Sequence, residues 1–383
     1  MTYGLAGADD WSTTAAESVR TLFGRRMLGL PGTYLPDVSW PGRRQWFGPW
    51  HYWWLAHFID CLVDEAQRER AAGHDERADR AETIAHQLLR TLRWRNVFRF
   101  VNHYYDDMAW LLLAAHRLDR LDGGLPVSPT RRRVAQTAGR QLRTQVLSAD
   151  TDDLGGGLYW NDHRDFKNVP ATGPAAIFFA RIGDTERARR LVDWLYANLH
   201  DPEQGLFLDG IRIGPDGATT TVRDIYTYNQ GTVLGALVEL GDPISLRRAS
   251  ELIGAVHDGL ARPGSHLTLT THGGHDGGLF TGITARYLAM AARSPGIDPT
   301  AREQAAALVH GTAEALWSGR EEVTTAGGLD GLRRRLTGMP PATACVFSPD
   351  PAVPARESQP RGIPVELSTQ LQAWMVLEAA ATL

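Results

Sequence analysis

The chain has 383 residues, 43% apolar and 22% charged, and its 40 basic and 44 acidic side chains leave a formal net charge of −4. That balance excludes a mainly disordered chain and argues against a nucleic-acid binder or a polybasic membrane binder. Two cysteines, Cys61 and Cys345, cannot form a disulfide scaffold, and twelve tryptophans hint at carbohydrate, because indoles stack on sugar rings as well as filling cores.

Helical patterning dominates from the first residues onward. About twelve segments carry it, at roughly 12–28, 45–72, 75–94, 104–121, 129–147, 168–183, 185–199, 224–240, 244–261, 278–293, 299–317 and 365–383. Several starts have a physical cause: Ser128-Pro129, Asp242-Pro243 and Asp298-Pro299 each place a capping oxygen before a proline in the first turn. The opening stretch holds Asp9, Asp10 and Glu17 and no apolar run, unlike a secretory signal. No window reaches the ~18 uninterrupted apolar residues of a membrane span, so the expectation is a cytoplasmic protein with no membrane span.

The segments alternate in character. One set is Arg-rich on a face, as at Arg77, Arg80 and Arg90 or Arg187, Arg189 and Arg190; the other is almost charge-free, as at Met108 to Ala115 or Thr232 to Val238. A helix apolar all round is enclosed by others, whereas one with a charged face lines the outside. Twelve helices alternating outer and inner predict six hairpins closed in a ring, an all-α (α/α)6 toroid forming one domain over 1–383. An open solenoid would show a fixed repeat, and none is present. Residues 320–363, rich in Gly and Pro, read as a long loop before the last helix.

In such a ring the inner helices run in one direction, so their N-terminal ends gather at one mouth. Those ends read Gln45 to Trp53, Asn102 to Asp107, Phe166 to Asn168, Tyr226 to Gly231, His275 to Phe280 and Glu366 to Gln370. Aromatics, amides and carboxylates recur there, which suits a ring with an apolar face and a rim of hydroxyls. Asp106 and Asp107 stand out. Flanked by Tyr104, Tyr105 and Trp110, and followed by an apolar helix, they fall at the axis. Two acids this close cannot ionise equally; one becomes an anion and the other a proton donor. Adjacent Cα atoms are ~3.8 Å apart, so their carboxyls fit the ~5–5.5 Å of a retaining glycosidase better than the wider inverting pair.

Five ordered motifs resemble glycoside hydrolase family 76: Tyr104-Tyr105-Asp106-Asp107-Met108-Ala109-Trp110, Gly155-Gly156-Gly157-Leu158-Tyr159-Trp160-Asn161, Lys167-Asn168 with Gly173-Pro174-Ala175-Ala176, Tyr226-Thr227-Tyr228-Asn229-Gln230-Gly231, and Asp276-Gly277-Gly278-Leu279-Phe280. The resemblance spans about residues 45 to 383. It implies the (α/α)6 fold, retaining cleavage of α-1,6-mannosidic bonds, Asp106 as nucleophile and Asp107 as acid/base. It also implies a carbohydrate partner, and the hydrolysis it implies needs no cofactor. The substrate-binding residues it implies are Asn102, Tyr105, Asn161, Lys167, Asn168, Asn229, Gln230 and Asp276, with Trp50, Trp160 and Tyr228 stacking on or walling the sugar.

Other readings attach to particular residues. Lys167 could pair with Asp165 on the surface. Asp150-Thr151-Asp152-Asp153-Leu154-Gly155 partly imitates a calcium loop but lacks ligands that such a loop needs, and His272 with His275 could hold zinc; no metal is assigned. An epimerase would want paired axial histidines, and His51, His103 and His275 are scattered. An unsaturated-uronyl hydrolase and a non-catalytic mannan-binding protein are the remaining alternatives.

Overall fold

The structure is a computed structural model that describes residues 7–42, 50–122, 129–325, 342–360 and 362–383. Among the described residues twelve long helices follow one another: α1 Ala8–Phe23, α2 Tyr52–Ala71, α3 Asp75–Arg95, α4 Tyr105–Asp122, α5 Pro129–Ala149, α6 Val169–Arg181, α7 Thr185–Leu199, α8 Thr227–Leu240, α9 Pro243–Leu260, α10 Phe280–Ala292, α11 Pro299–Ser318 and α12 Leu367–Ala381. The starts follow the chemistry of orphan N–H groups: Asp184, Asp242 and Asp298 each accept backbone N–H groups of the first turn, and proline follows directly in α9 and α11. Ser128 and residues 45–49, expected at helix starts, lie outside the described residues.

The even-numbered helices form the inner ring. Each packs on the next, from α2 to α4, α6, α8, α10 and α12, and α12 returns to α2. Their burial is nearly complete; α6 is buried from Val169 to Ala180. Close approach of the inner helices requires glycine at two contacts. A Cβ on Gly231 of α8 would lie 2.7 Å from the Thr284 Cα of α10, and one on Gly282 of α10 would lie 3.0 Å from the Gln372 Cα of α12. The odd-numbered helices cover the outside. The ring differs from six sequential hairpins in one respect: α2 to α11 make five, and the sixth pair is α12 against α1.

The segment expected as a loop at 320–363 contains structure. Glu321–Thr325 pairs antiparallel with Ala342–Val346, from Thr325↔Ala342 to Glu321↔Val346. The cause is the apolar run Ala344 to Phe347, which is buried. It packs near α1, where the Cys345 N–H donates to Ser18 Oγ at 2.8 Å. Residues 326–341 lie outside the described part.

At the inner-helix starts a three-stranded antiparallel sheet orders the connecting chain: Phe166–Asn168 pairs with Gly210–Ile213, which pairs with Thr219–Val222. At the opposite end a cavity of about 560 Å³ is lined by Asp64, Arg68, Arg117, Arg181, Arg286 and Glu378, among others. No helix among the described residues is long and apolar enough to cross a membrane.

Candidate active site

The site is assembled by a short segment threaded between α4 and the sheet. Gly155, Gly156 and Gly157 all have positive φ (76°, 132° and 74°), a path that suits glycine. A Cβ on Gly157 would lie 2.6 Å from the Trp194 ring, so side-chain bulk is excluded there as well. The chain then bridges Tyr159 to Lys167 and Asn161 to Tyr104. The Tyr105 N–H donates to Trp160 O at 2.7 Å, fixing Trp160 over the first turn of α4.

Asp106 and Asp107 occupy that turn. Asp106 Oδ1 accepts the Asp107 backbone N–H at 2.8 Å, and its Oδ2 accepts the Trp160 indole N–H at 2.9 Å. Asp107 Oδ2 accepts from Asn102 Nδ2 at 2.6 Å. Burial pushes both carboxyls above their ordinary range, Asp106 to about 7, and the Asp106 charge adds to the rise of Asp107. The strongest charges acting on them are all acids: Asp209 on Asp106, and Asp106 and Asp276 on Asp107. The two donors on Asp106 favour its anion, while the anion beside Asp107 keeps the proton there. The pair is neither bathed in bulk solvent nor pinned as two anions by arginines.

The walls are aromatic. Asp276 Oδ1 accepts both the Trp53 and the Trp54 indole N–H, at 2.9 and 3.0 Å, which joins the starts of α2 and α10. Tyr228 of α8 stacks on Phe280 of α10 at 3.8 Å with the rings 4° apart, and faces Trp110 of α4 at 6.5 Å. His57, one turn below Trp53, is buried between Trp53 and Trp110 and is held neutral, its pKa pushed down to about 3 by burial.

Of the residues expected at the site, Asp106, Asp107, Asn102, Trp160, Tyr228 and Asp276 come together. Trp50 is half-buried beside Tyr52 with the Arg95 guanidinium 5.7 Å over its ring, and Tyr105 is buried in the core. Asn161 is buried and accepts the His163 N–H, and Asn168 caps α6 through the Ala171 N–H. Gln230 is fully buried, accepting the Phe207 N–H and donating to Phe207 O. These three amides serve the loops that carry the site.

Lys167 departs most from expectation: it neither lines the cleft nor pairs with Asp165. It is 0% exposed. Its Nζ donates to Thr151 O and Oγ1, Asp153 O, Gly156 O and Gly157 O, all between 2.6 and 3.1 Å. The ammonium thus sits among the oxygens of the segment that imitates a calcium loop, and Asp150 there is paired with Arg187 and Arg190. Burial lowers the Lys167 pKa to about 8. Among the described residues no three His, Cys, Asp or Glu side chains are grouped as metal ligands. His272 Nε2 accepts the Thr227 N–H instead. Nor do the histidines of the mouth pair: His51 stacks on Trp54, His103 meets Asp162 and His275 meets Glu366.

Asp209 was not expected. The sheet delivers it to the start of α6, where its carbonyl accepts the Val169 N–H, and its Oδ1 accepts from Asn229 Nδ2 at 3.2 Å. Burial raises its pKa to about 6, with Asp224 adding to the effect. A repeat could have exposed it: Gly157-Leu158-Tyr159-Trp160-Asn161 and Gly205-Leu206-Phe207-Leu208-Asp209 share Gly-Leu-aromatic followed two residues later by an amide or acid.

The model of glycosyl hydrolase family 76 matches residues 9–337. The chain belongs to that family. It is similar to the solved GH76A alpha-1,6-mannanase from Salegentibacter sp. HEL1_6, with 28% identity over 98% of this chain and 99% of that one, at a TM-score of 0.76. An inactive variant of that mannanase, with two adjacent aspartates replaced by alanine, was solved in complex with alpha-1,6-mannotetrose; it matches at 27% identity over 98% and 99% of the two chains, with a TM-score of 0.77. The Lin0763 protein from Listeria innocua, 22% identical over 98% of this chain and 97% of its own, shares the fold at a TM-score of 0.73. No curated protein sequence matches this chain.

Proposed function

We propose that this family 76 glycosidase hydrolyses α-1,6-mannosidic linkages in mannan or mannosyl-glycoconjugate chains with retention of anomeric configuration. One observation carries the reading: two adjacent shielded acids share a pocket in which the indole of Trp160 and a backbone N–H stabilise the Asp106 anion, while burial and that neighbouring anion outweigh the single amide donor from Asn102 and raise Asp107. In the first step the Asp107 proton moves to the glycosidic oxygen as its bond to C1 breaks, and an Asp106 oxygen bonds to C1. In the second, Asp107 takes a proton from water, the water oxygen bonds to C1, and the Asp106–C1 bond breaks. Tyr228 and Phe280 offer an apolar wall to the sugar face, and the unbonded oxygens of Asp209 and Asp276 can accept its hydroxyls. The Salegentibacter complexes with α-1,6-mannooligosaccharides support the choice of sugar.

Proton NMR of α-1,6-mannotetraose during turnover tests this. The first product formed should carry a new reducing end in the α configuration. A β product, or an unchanged tetrasaccharide, would overturn the reading. No histidine pair supports the epimerase alternative.

A further inference from the structure

Eight large apolar side chains are exposed among the described residues, and five of them, Leu28, Leu30, Trp94, Val97 and Phe98, belong to two segments in contact, the loop after α1 and the end of α3 with the connection that follows it. The loop after α1 is laid along α3, where the Tyr34 N–H donates to Thr91 Oγ1 and Arg90 donates to Gly32 O. The Arg90 guanidinium in turn lies 5.4 Å over the Trp94 ring. One turn on, Val97 and Phe98 project from the α3–α4 connection, 77% and 67% exposed.

Three of these side chains are held out at a backbone cost. Leu28, Val97 and Phe98 have φ of 51°, 52° and 60°, a left-handed conformation that is unfavourable for non-glycine residues and worst for a β-branched one. The turn is nevertheless fixed: Arg93 Nε donates to Phe98 O at 3.0 Å, and Asn96 Nδ2 donates to Arg99 O and Val101 O at 3.1 and 3.0 Å. Folding gains little from apolar groups left in water. The segment that carries Trp94, Val97 and Phe98 has charge of one sign: from 83 to 105 the chain has Arg90, Arg93, Arg95 and Arg99 and no acid, although its net charge is −4. In the neighbouring loop Arg25 is matched by Asp37, and Arg26 adds a further cation.

We propose that this face docks on an anionic lipid bilayer, with Val97 and Phe98 entering the headgroup region and the arginines meeting anionic headgroups. Protruding apolar side chains need a medium that yields, which a bilayer does and a rigid protein surface does not. Interleaved arginines supply an attraction that salt screens. Residues 97–98 lead within a few residues to Asn102 and the aspartate pair, so docking turns the mouth toward the membrane. Joined to the hydrolase reading, on which this last step rests, docking narrows the substrate to mannosyl chains carried on membrane lipid.

Sedimentation with phosphatidylcholine vesicles, with and without phosphatidylglycerol, tests docking independently of catalysis. The protein should pellet with the anionic vesicles and be released by high salt. The double variant Val97→Asn, Phe98→Asn should bind about tenfold or more weakly. It should also melt at a higher temperature, since asparagine accepts the left-handed conformation, and it should turn over soluble α-1,6-mannotetraose as the parent does. Arg99→Glu, at an exposed position, should weaken pelleting as well. Failure to pellet with anionic vesicles, or equal pelleting by the double variant, would overturn docking. So would a dimer seen by light scattering and lost in that variant, since it would assign the face to a second copy of the chain.

Discussion

Both ends of the inner ring hold buried acids, and the two sets behave differently. At the C-terminal ends, Asp60 and Asp64 each meet both Arg117 and Arg286, at 2.5 to 3.3 Å. Burial pushes Asp64 up, but the two guanidiniums outweigh it and hold the carboxyl below its usual range. At the N-terminal ends, Asp106, Asp107 and Asp209 take indole, amide and backbone hydrogen bonds but none from a guanidinium among the described residues, and all three are raised, Asp209 in spite of the nearby Arg212 charge. Helix dipoles favour anions at the mouth and cations at the far end. The arginines thus sit where the dipoles already favour them and leave the mouth free to hold a proton. Glu378 is an exception at the far end: burial, with the Asp64 charge adding to it, raises it to about 7 even though it receives Arg68.

The largest effect should come from the mouth. Asp106→Asn and Asp107→Asn should each lower turnover of α-1,6-mannan by about 10⁴-fold or more, as loss of one member of a catalytic unit does. The same changes should stabilise the fold. A carboxyl raised on folding contributes its stability below its unfolded pKa and loses it as pH rises toward the folded value. Asp107→Asn should therefore melt near the parent temperature at pH 4 and above it at pH 8. Retained activity, or a variant less stable at pH 8, would break the contrast between the ends.

Next comes the far end, where the sign is opposite. Arg117→Met leaves Asp60 and Asp64 with one guanidinium between them and should cost about 3–5 kcal/mol in urea unfolding at neutral pH. Because Asp64 is depressed, that cost should shrink as pH falls through its folded pKa. A cost independent of pH would mean that packing, rather than pairing, holds this end.

Two smaller changes sharpen the mouth. Trp160→Phe removes a donor to Asp106 and should lower kcat/KM by about 10- to 100-fold. It should also move the acid limb of the pH profile upward, since the anion loses support. Asp209→Asn removes a nearby negative charge and should move that limb to lower pH by a fraction of a unit, with a smaller loss of rate. A limb that stays in place in both variants would detach it from Asp106.

The helices were legible because burial all round and burial on one face leave different residue patterns, and Asp106-Asp107 was legible because the pair is flanked by Tyr104, Tyr105 and Trp110 and runs into an apolar helix, where a solvated cap would need neither. The amides were read less well. Gln230 and Gln370 each accept a backbone N–H and donate to the same residue's carbonyl, at Phe207 and Phe347 respectively, so a polar residue at an inner start can serve the preceding loop and never see the cleft. Lys167 misled for a related reason: a lysine beside a cleft motif looks like a ligand group, yet five loop oxygens enclose it. Asp209 escaped notice because it follows a two-residue strand between helices, where no periodicity marks it.

The pairing of α12 with α1 has a kinetic consequence. The seam it makes is extended by the Cys345–Ser18 hydrogen bond across 327 positions of sequence, so the contacts that complete the barrel are among its least local. Loop closure over such a span is slow and entropically unfavourable until much else is in place. An emerging polypeptide would remain an open arc, with the flanks of α2 and α10 uncovered, until its last helix arrives; that interval is when a chaperone or an aggregate would find it.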